Sequence, residues 1–186
     1  MDATRQRITE AAMRLHTSVG PSNTSVSAVA DEAGVTRVTL YRHFPSMDDL
    51  FGACMGHWRS LHPPPDAAAW TQIAELEPRL RRGLSELYGW YAANGEDLYP
   101  IYRDAADTPA SNRAARRASN ERMVDALLKG VSVFGTARRR VRAAVAHVVA
   151  FWTWRSLAVD GGLSVREAAD LATSFVMSVD AKRHVT

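Results

Sequence analysis

The sequence predicts an all-α protein, and three features carry that expectation. No segment sustains the period-two alternation of Val, Ile and Thr that a strand needs. Apolar residues recur instead at intervals of three and four, and Pro and Gly cluster between these runs. With 46% hydrophobic and 23% charged residues over 186 positions, the chain is globular rather than disordered. No apolar run reaches the roughly 20 residues that span a bilayer, the opening MDATRQRITEAA lacks the apolar core of a signal peptide, and the lone Cys54 excludes an intrachain disulfide. These features point to the cytoplasm.

The first helix is expected over Ala3 to Val19, with Ile8, Ala12, Leu15 and Val19 on one stripe and Gly20-Pro21 as its stop. Ser25 can cap a second helix carrying Val26, Val29 and Ala30, which Gly34 ends by adopting the left-handed conformation. Thr36 then caps a third helix whose Leu40 and Phe44 point with Val35 toward a small core. Ser46 caps a fourth, with Asp48 and Asp49 in its first turn, and Pro63-Pro64-Pro65 ends it because a proline triplet cannot continue a helix. Pro78 opens a helix expected to stop at Gly95, followed by a short one around Asp97 to Ala106 and another from Thr108-Pro109 toward Lys129-Gly130. A helix from Ala137 to Val159 is apolar on several sides, and Ser164-Val-Arg-Glu167 forms a capping box for the last.

Residues 25 to 44 therefore read as two short helices around a tight Ala33-Gly34-Val35 turn, a geometry that can present its second helix to a DNA major groove. That helix carries Arg37, Thr39, Tyr41, Arg42 and His43 on its polar side, all able to reach phosphates or base edges. Net charge adds little. The whole chain is +3 and its first 46 residues only +1, so the case for DNA rests on placement.

Ile8, Ala11-Ala12, Leu15, Gly20, Thr24-Ser25-Val26, Val29-Ala30, Ala33-Gly34-Val35-Thr36, Thr39-Leu40-Tyr41, His43-Phe44 and Leu50, taken in order, closely resemble the amino-terminal unit of the TetR family of one-component transcriptional regulators. The resemblance covers about a quarter of the chain, Arg5 to Leu50. It implies a three-helix helix-turn-helix DNA-binding domain over residues 1–46 and a helical effector-binding and dimerisation domain over 47–186. It also implies that the third helix lies in the major groove, with Arg37 and Thr39 near base edges and Tyr41 and His43 on the backbone. Ser25 would meet a phosphate. Thr36, Val38 and Arg42 complete the expected DNA-facing set. Two positions depart from the family pattern: Met47 stands where Lys is usual, and Val38 where a small residue is common, which would either let it touch a thymine methyl or hold the helix slightly farther out.

An apolar pocket for an effector is expected among Trp58, Leu84, Tyr88, Tyr91, Tyr102, Met123, Leu127, His147, Phe151 and Trp154, although the same aromatic residues suit an ordinary packed core. A homodimer interface is expected from Val145, Val149, Trp152, Leu171, Phe175 and Val179, because the apolar faces of the last two long helices exceed what one subunit can cover. His57 and His62 are five apart and point in different directions on a helix, so no metal is expected. No cofactor is expected either. The resulting reading is a DNA-binding regulator, a repressor released from a palindromic operator by a small apolar or aromatic effector. A non-catalytic adaptor that keeps the helical corner but binds protein is the alternative. An enzyme is disfavoured because paired carboxylates, a Cys-His couple and a phosphate loop are all missing from the sequence.

Overall fold

The computed structural model describes residues 2–132 and 134–181. Helices α1 (Ala3–Ser18), α2 (Val26–Glu32), α3 (Arg37–His43), α4 (Met47–Leu61), α5 (Ala67–Trp70), α6 (Leu76–Arg103), α7 (Ala110–Leu127), α8 (Gly135–Val148), α9 (Phe151–Trp154) and α10 (Val165–Ala181) follow one another, and no strand occurs among the described residues. No helix among them is long and apolar enough to cross a membrane.

Packing divides the chain into two compact units. The first holds the residues up to Pro63 together with Asn94–Arg116; the second holds Pro64–Ala93 and the residues from Arg117 onward. This division differs from the boundary expected at residues 46/47. Helix α4 packs along α1, placing Leu50, Phe51 and Cys54 in the same core as Ile8, Ala11 and Ala12.

In the first unit, Ser25, Thr36 and Ser46 each cap the helix that follows, accepting from the amides of Ala28, Thr39 and Asp49 at 3.1–3.2 Å. In the core of this unit, His16 Nδ1 lies 3.3 Å from the Cys54 sulfur, whose thiol donates to the Phe51 carbonyl. Burial pushes the imidazole down to about 4 and the thiol up to about 12, so both groups are neutral near pH 7. A thiol held protonated and buried is a packing group, not a redox sensor.

Gly95 does not end a helix. Helix α6 runs unbroken to Arg103 through both Gly95 and Pro100. Continuing it buries Leu98 and Ile101 and lets Asp97 accept from the Trp58 indole at 2.8 Å, whereas Pro100 forfeits a single helical hydrogen bond near the end. At its terminus, the Asp104 carboxylate accepts from the Ser22 amide and from Arg103, and Arg103 donates to the Val19 carbonyl at 2.9 Å. The guanidinium beside it holds the Asp104 carboxyl down at about 2. Gly20 is needed here: its φ is +94°, and a Cβ would fall 2.3 Å from an Asp104 oxygen.

The second unit also departs from expectation. The helix foreseen from Ala137 to Val159 is broken at Val149-Ala150, where Ala150 is extended, and resumes as α9 and a wide turn over Arg155–Asp160. The break is tolerated because the carbonyls it frees find donors. Tyr88 donates to Val148 O at 2.7 Å, Tyr91 to Val149 O at 3.0 Å and Thr153 to His147 O at 2.6 Å. Buried Arg79 plays a similar part, donating to the carbonyls of Ile73, Ala74, Leu127 and Lys129 and closing the end of α7. The capping box on α10 forms as the sequence suggests, with Ser164 and Glu167 bonded reciprocally.

Candidate nucleic-acid interface

The turn between α2 and α3 is set by Gly34 at φ +63°, with the Val35 amide reaching back to Ala30 O at 2.9 Å. It leaves α3 with two distinct sides. Leu40 and Phe44 are fully buried, whereas Arg37, Val38, Tyr41 and Arg42 are exposed at i, i+3 and i+4 spacings that put them on one face. Neither Arg37 nor Arg42 is in an ion pair among the described residues, so both cations stand open to an external anion.

Ser25 is exposed and its oxygen is engaged as a cap, with the hydroxyl proton still available to donate. Thr36 caps α3 and shares a 3.1 Å hydrogen bond with the Thr39 hydroxyl, which leaves Thr39 half-buried at the base of the face. His43 is the residue least open to DNA. Its ring is half-buried with Nδ1 3.4 Å from the Asp2 carboxylate, and its carbonyl accepts from Arg5. Arg5 also stacks 4.0 Å above the Phe44 ring. Thus Asp2 and Arg5 tie the start of α1 to the end of α3. Their sequence shows nothing but an ordinary charged helix start, and the partners lie about forty residues away.

The residues expected to line an effector pocket divide between the units. Trp58 and Tyr102 belong to the first; Leu84, Tyr88, Tyr91, Met123, Leu127, His147, Phe151 and Trp154 belong to the second. In the second unit Tyr91, Phe151 and Trp154 form an aromatic cluster with centroids 5.4–5.6 Å apart. The Tyr88 and Tyr91 hydroxyls donate to the broken helix. Among the described residues, two buried side-chain nitrogens have no acceptor: Trp154 Nε1 and, in the first unit, Arg116 Nη1. The Arg116 guanidinium lies 4.8 Å from the Tyr102 ring. His147 lies apart from this cluster: it is exposed and its ring lies 6.0 Å from Phe175 on the outer side of α8 and α10.

Trp152, Leu171 and Phe175 are 46–50% exposed, and on that outer side His147, Thr153, Leu157, Leu171 and Phe175 line a shallow groove. Val179 is half-buried on the same helix. Val145 and Val149, expected to share this face, are completely buried within the single chain, because the inward face of α8 packs on α10 and on the α6 tyrosines. They support the face from beneath without reaching its surface.

Residues 8–54 match the family model described as bacterial regulatory proteins, tetR family. This amino-terminal segment is that of a TetR-type helix-turn-helix. Over 48 residues it is 48% identical to the HTH-type transcriptional regulator AcrR of Shigella flexneri, an alignment covering 26% of this chain and 22% of that relative. A TetR-like regulator from Rhodococcus sp. RHA1 superposes with a TM-score of 0.61 at 23% identity, covering 97% of each chain. NalD of Pseudomonas aeruginosa, the secondary repressor of the MexAB-OprM multidrug efflux pump, superposes with a TM-score of 0.57 at 17% identity, covering 96% of this chain and 95% of that one. At these identities the whole-chain likeness is one of fold, and the sequence likeness is concentrated on the TetR helix-turn-helix.

Proposed function

We propose that the chain is a DNA-binding transcriptional regulator, a repressor that a small apolar or aromatic effector releases from a palindromic operator. One observation carries the DNA-binding part: the exposed face of α3, where Arg37, Val38, Tyr41 and Arg42 project side by side above a fully buried Leu40-Phe44 anchor. An ordinary helical corner has no need of two unpaired arginines and a half-exposed tyrosine on seven residues. In the groove, Arg37 and Thr39 would lie nearest the base edges, with Tyr41, Arg42 and the Ser25 hydroxyl on phosphates.

The palindrome follows from a second copy. Trp152, Leu171 and Phe175 leave an apolar face on the outside of the second unit, and an isologous pairing through α8 and α10 would cover it. Two heads would then address half-sites about one turn of B-DNA apart, roughly 34 Å. Repression is the simplest outcome of such a dimer lying across a promoter, and NalD, which has the same fold, is named as a repressor. The aromatic cluster of Tyr91, Phe151 and Trp154 supports an apolar or aromatic effector, with the unpartnered Trp154 indole as a donor to it. A differential binding energy of about 1–3 kcal/mol between the two head arrangements would lower operator affinity about 5- to 150-fold.

The test is fluorescence anisotropy on duplexes selected by the protein from a random pool. Arg37→Ala and Tyr41→Ala are each expected to cost about 1–3 kcal/mol of affinity with unchanged circular dichroism, because both side chains are solvent-facing in the free protein. Arg37→Ala should also relax sequence preference, whereas Tyr41→Ala should weaken all duplexes alike. Wild-type affinity in both variants would remove α3 from the groove.

A further inference from the structure

Val38 is 80% exposed, the highest value among the exposed large hydrophobic residues described. It is the second residue of α3, and nothing in the fold accounts for it there. A β-branched side chain is a poor choice for an exposed helical position, where straight-chain polar residues serve better. It adds no core contact, since the buried side of α3 is supplied by Leu40 and by Phe44 just beyond it. Its neighbours on the face, Arg37, Tyr41 and Arg42, all carry groups that can bond phosphate oxygens or base edges; Val38 carries none.

An apolar side chain at the amino-terminal end of a recognition helix has one matching feature in the major groove, the C5 methyl of thymine. From these observations we infer that Val38 is a sequence-reading residue that seats against a thymine methyl, so that each half-site carries a T·A pair at the position beneath it. The inference rests on the DNA-binding reading above and adds to it the identity of one base. Valine is short, so the contact requires the α3 backbone to come close to the groove floor at its first turn. The exposed start of α3 allows this approach, with Thr36 and Thr39 folded onto each other at 3.1 Å rather than projecting.

The experiment uses the full chain and duplexes it selects from a random-sequence pool. In the selected site, each thymine is replaced in turn by deoxyuridine, which removes the methyl and keeps the pairing with adenine. Affinity is measured by anisotropy for the wild type and for Val38→Ala. At one position per half-site, deoxyuridine should weaken the wild type about fourfold, or roughly fifteenfold when both halves are changed, as expected for one buried methyl each. Val38→Ala should bind the thymine and deoxyuridine duplexes within about twofold of each other.

If the wild type binds selected DNA but is indifferent to deoxyuridine at every position, the inference falls and the DNA-binding reading stands. A deoxyuridine penalty that persists in Val38→Ala assigns the methyl to another side chain and also overturns it. Failure to select any duplex would overturn both readings and leave Val38 as a contact for a protein partner.

Discussion

Acidification should loosen the first unit through His16. The ring is 3% exposed, lies against Phe51 at a centroid distance of 4.8 Å and touches the Cys54 sulfur, with no carboxylate bonded to it. Burial lowers its pKa from 6.5 to about 4, while the Cys54 thiol stays neutral and offers no compensating charge. In the unfolded chain the imidazole takes up a proton as the pH falls below 6.5; in the folded protein it cannot do so until the pH approaches 4. The unfolded state therefore binds more protons throughout that window, and stability that is fully present at neutral pH is lost as the pH falls through it. The full loss is about 3 kcal/mol, of which about 2 kcal/mol is gone by about pH 5. Urea unfolding followed by tryptophan fluorescence, at about pH 7 and about pH 5, measures it. His16→Gln removes the titrating group, and the other ionisable groups cancel in the comparison. The variant should be less stable than wild type at neutral pH, yet lose about 2 kcal/mol less on acidification. Equal losses in the two proteins would refute the argument, as would an imidazole that titrates near 6.5 by NMR in the folded protein.

Gly20→Ala should destabilise by about 2 kcal/mol, because alanine is strained at a φ of +94° and its methyl would displace the Asp104 carboxylate; thermal unfolding reports it, and an unchanged midpoint would show the Ser22-Asp104 tie to be slack. Arg79→Met should cost about 3 kcal/mol or more, since it leaves the buried carbonyls of Ile73, Ala74, Leu127 and Lys129 without their donor. Calorimetry measures the loss, and a neutral result would mean that water replaces the guanidinium. Phe175→Glu should convert a dimer to monomers in sedimentation equilibrium, because burying a carboxylate in that apolar face costs several kcal/mol. A persisting dimer would move the interface elsewhere.

Local chemistry made the reading head legible. Ser25, Thr36 and Ser46 are caps because their oxygens satisfy amides three residues away, and Gly34 stops α2 because it tolerates a positive φ; both effects act within a single turn and are visible in a short window. The buried and exposed sides of α3 follow from helical period alone, so its exposed face could be listed in advance. His43 was legible only in part: its place on the helix was evident, but its partnership with Asp2 was not.

The second half of the chain was harder to read because its decisive contacts join distant residues. Gly95 and Pro100 look like breakers, yet Asp97, Leu98 and Ile101 gain enough from Trp58 and the core to carry α6 through them. The run from Val145 to Trp154 looks like one helix, yet Tyr88 and Tyr91, some sixty residues earlier, supply the hydroxyls that let it break. Whether Val149 or Phe175 faces outward depended on which side of each helix found a partner. Sequence by itself determined the helical class, the caps and the exposed face of α3, all of which rest on interactions within four residues. Tertiary structure decided where helices could afford to break and which apolar residues remained exposed, because those outcomes depend on donors and surfaces brought from far along the chain.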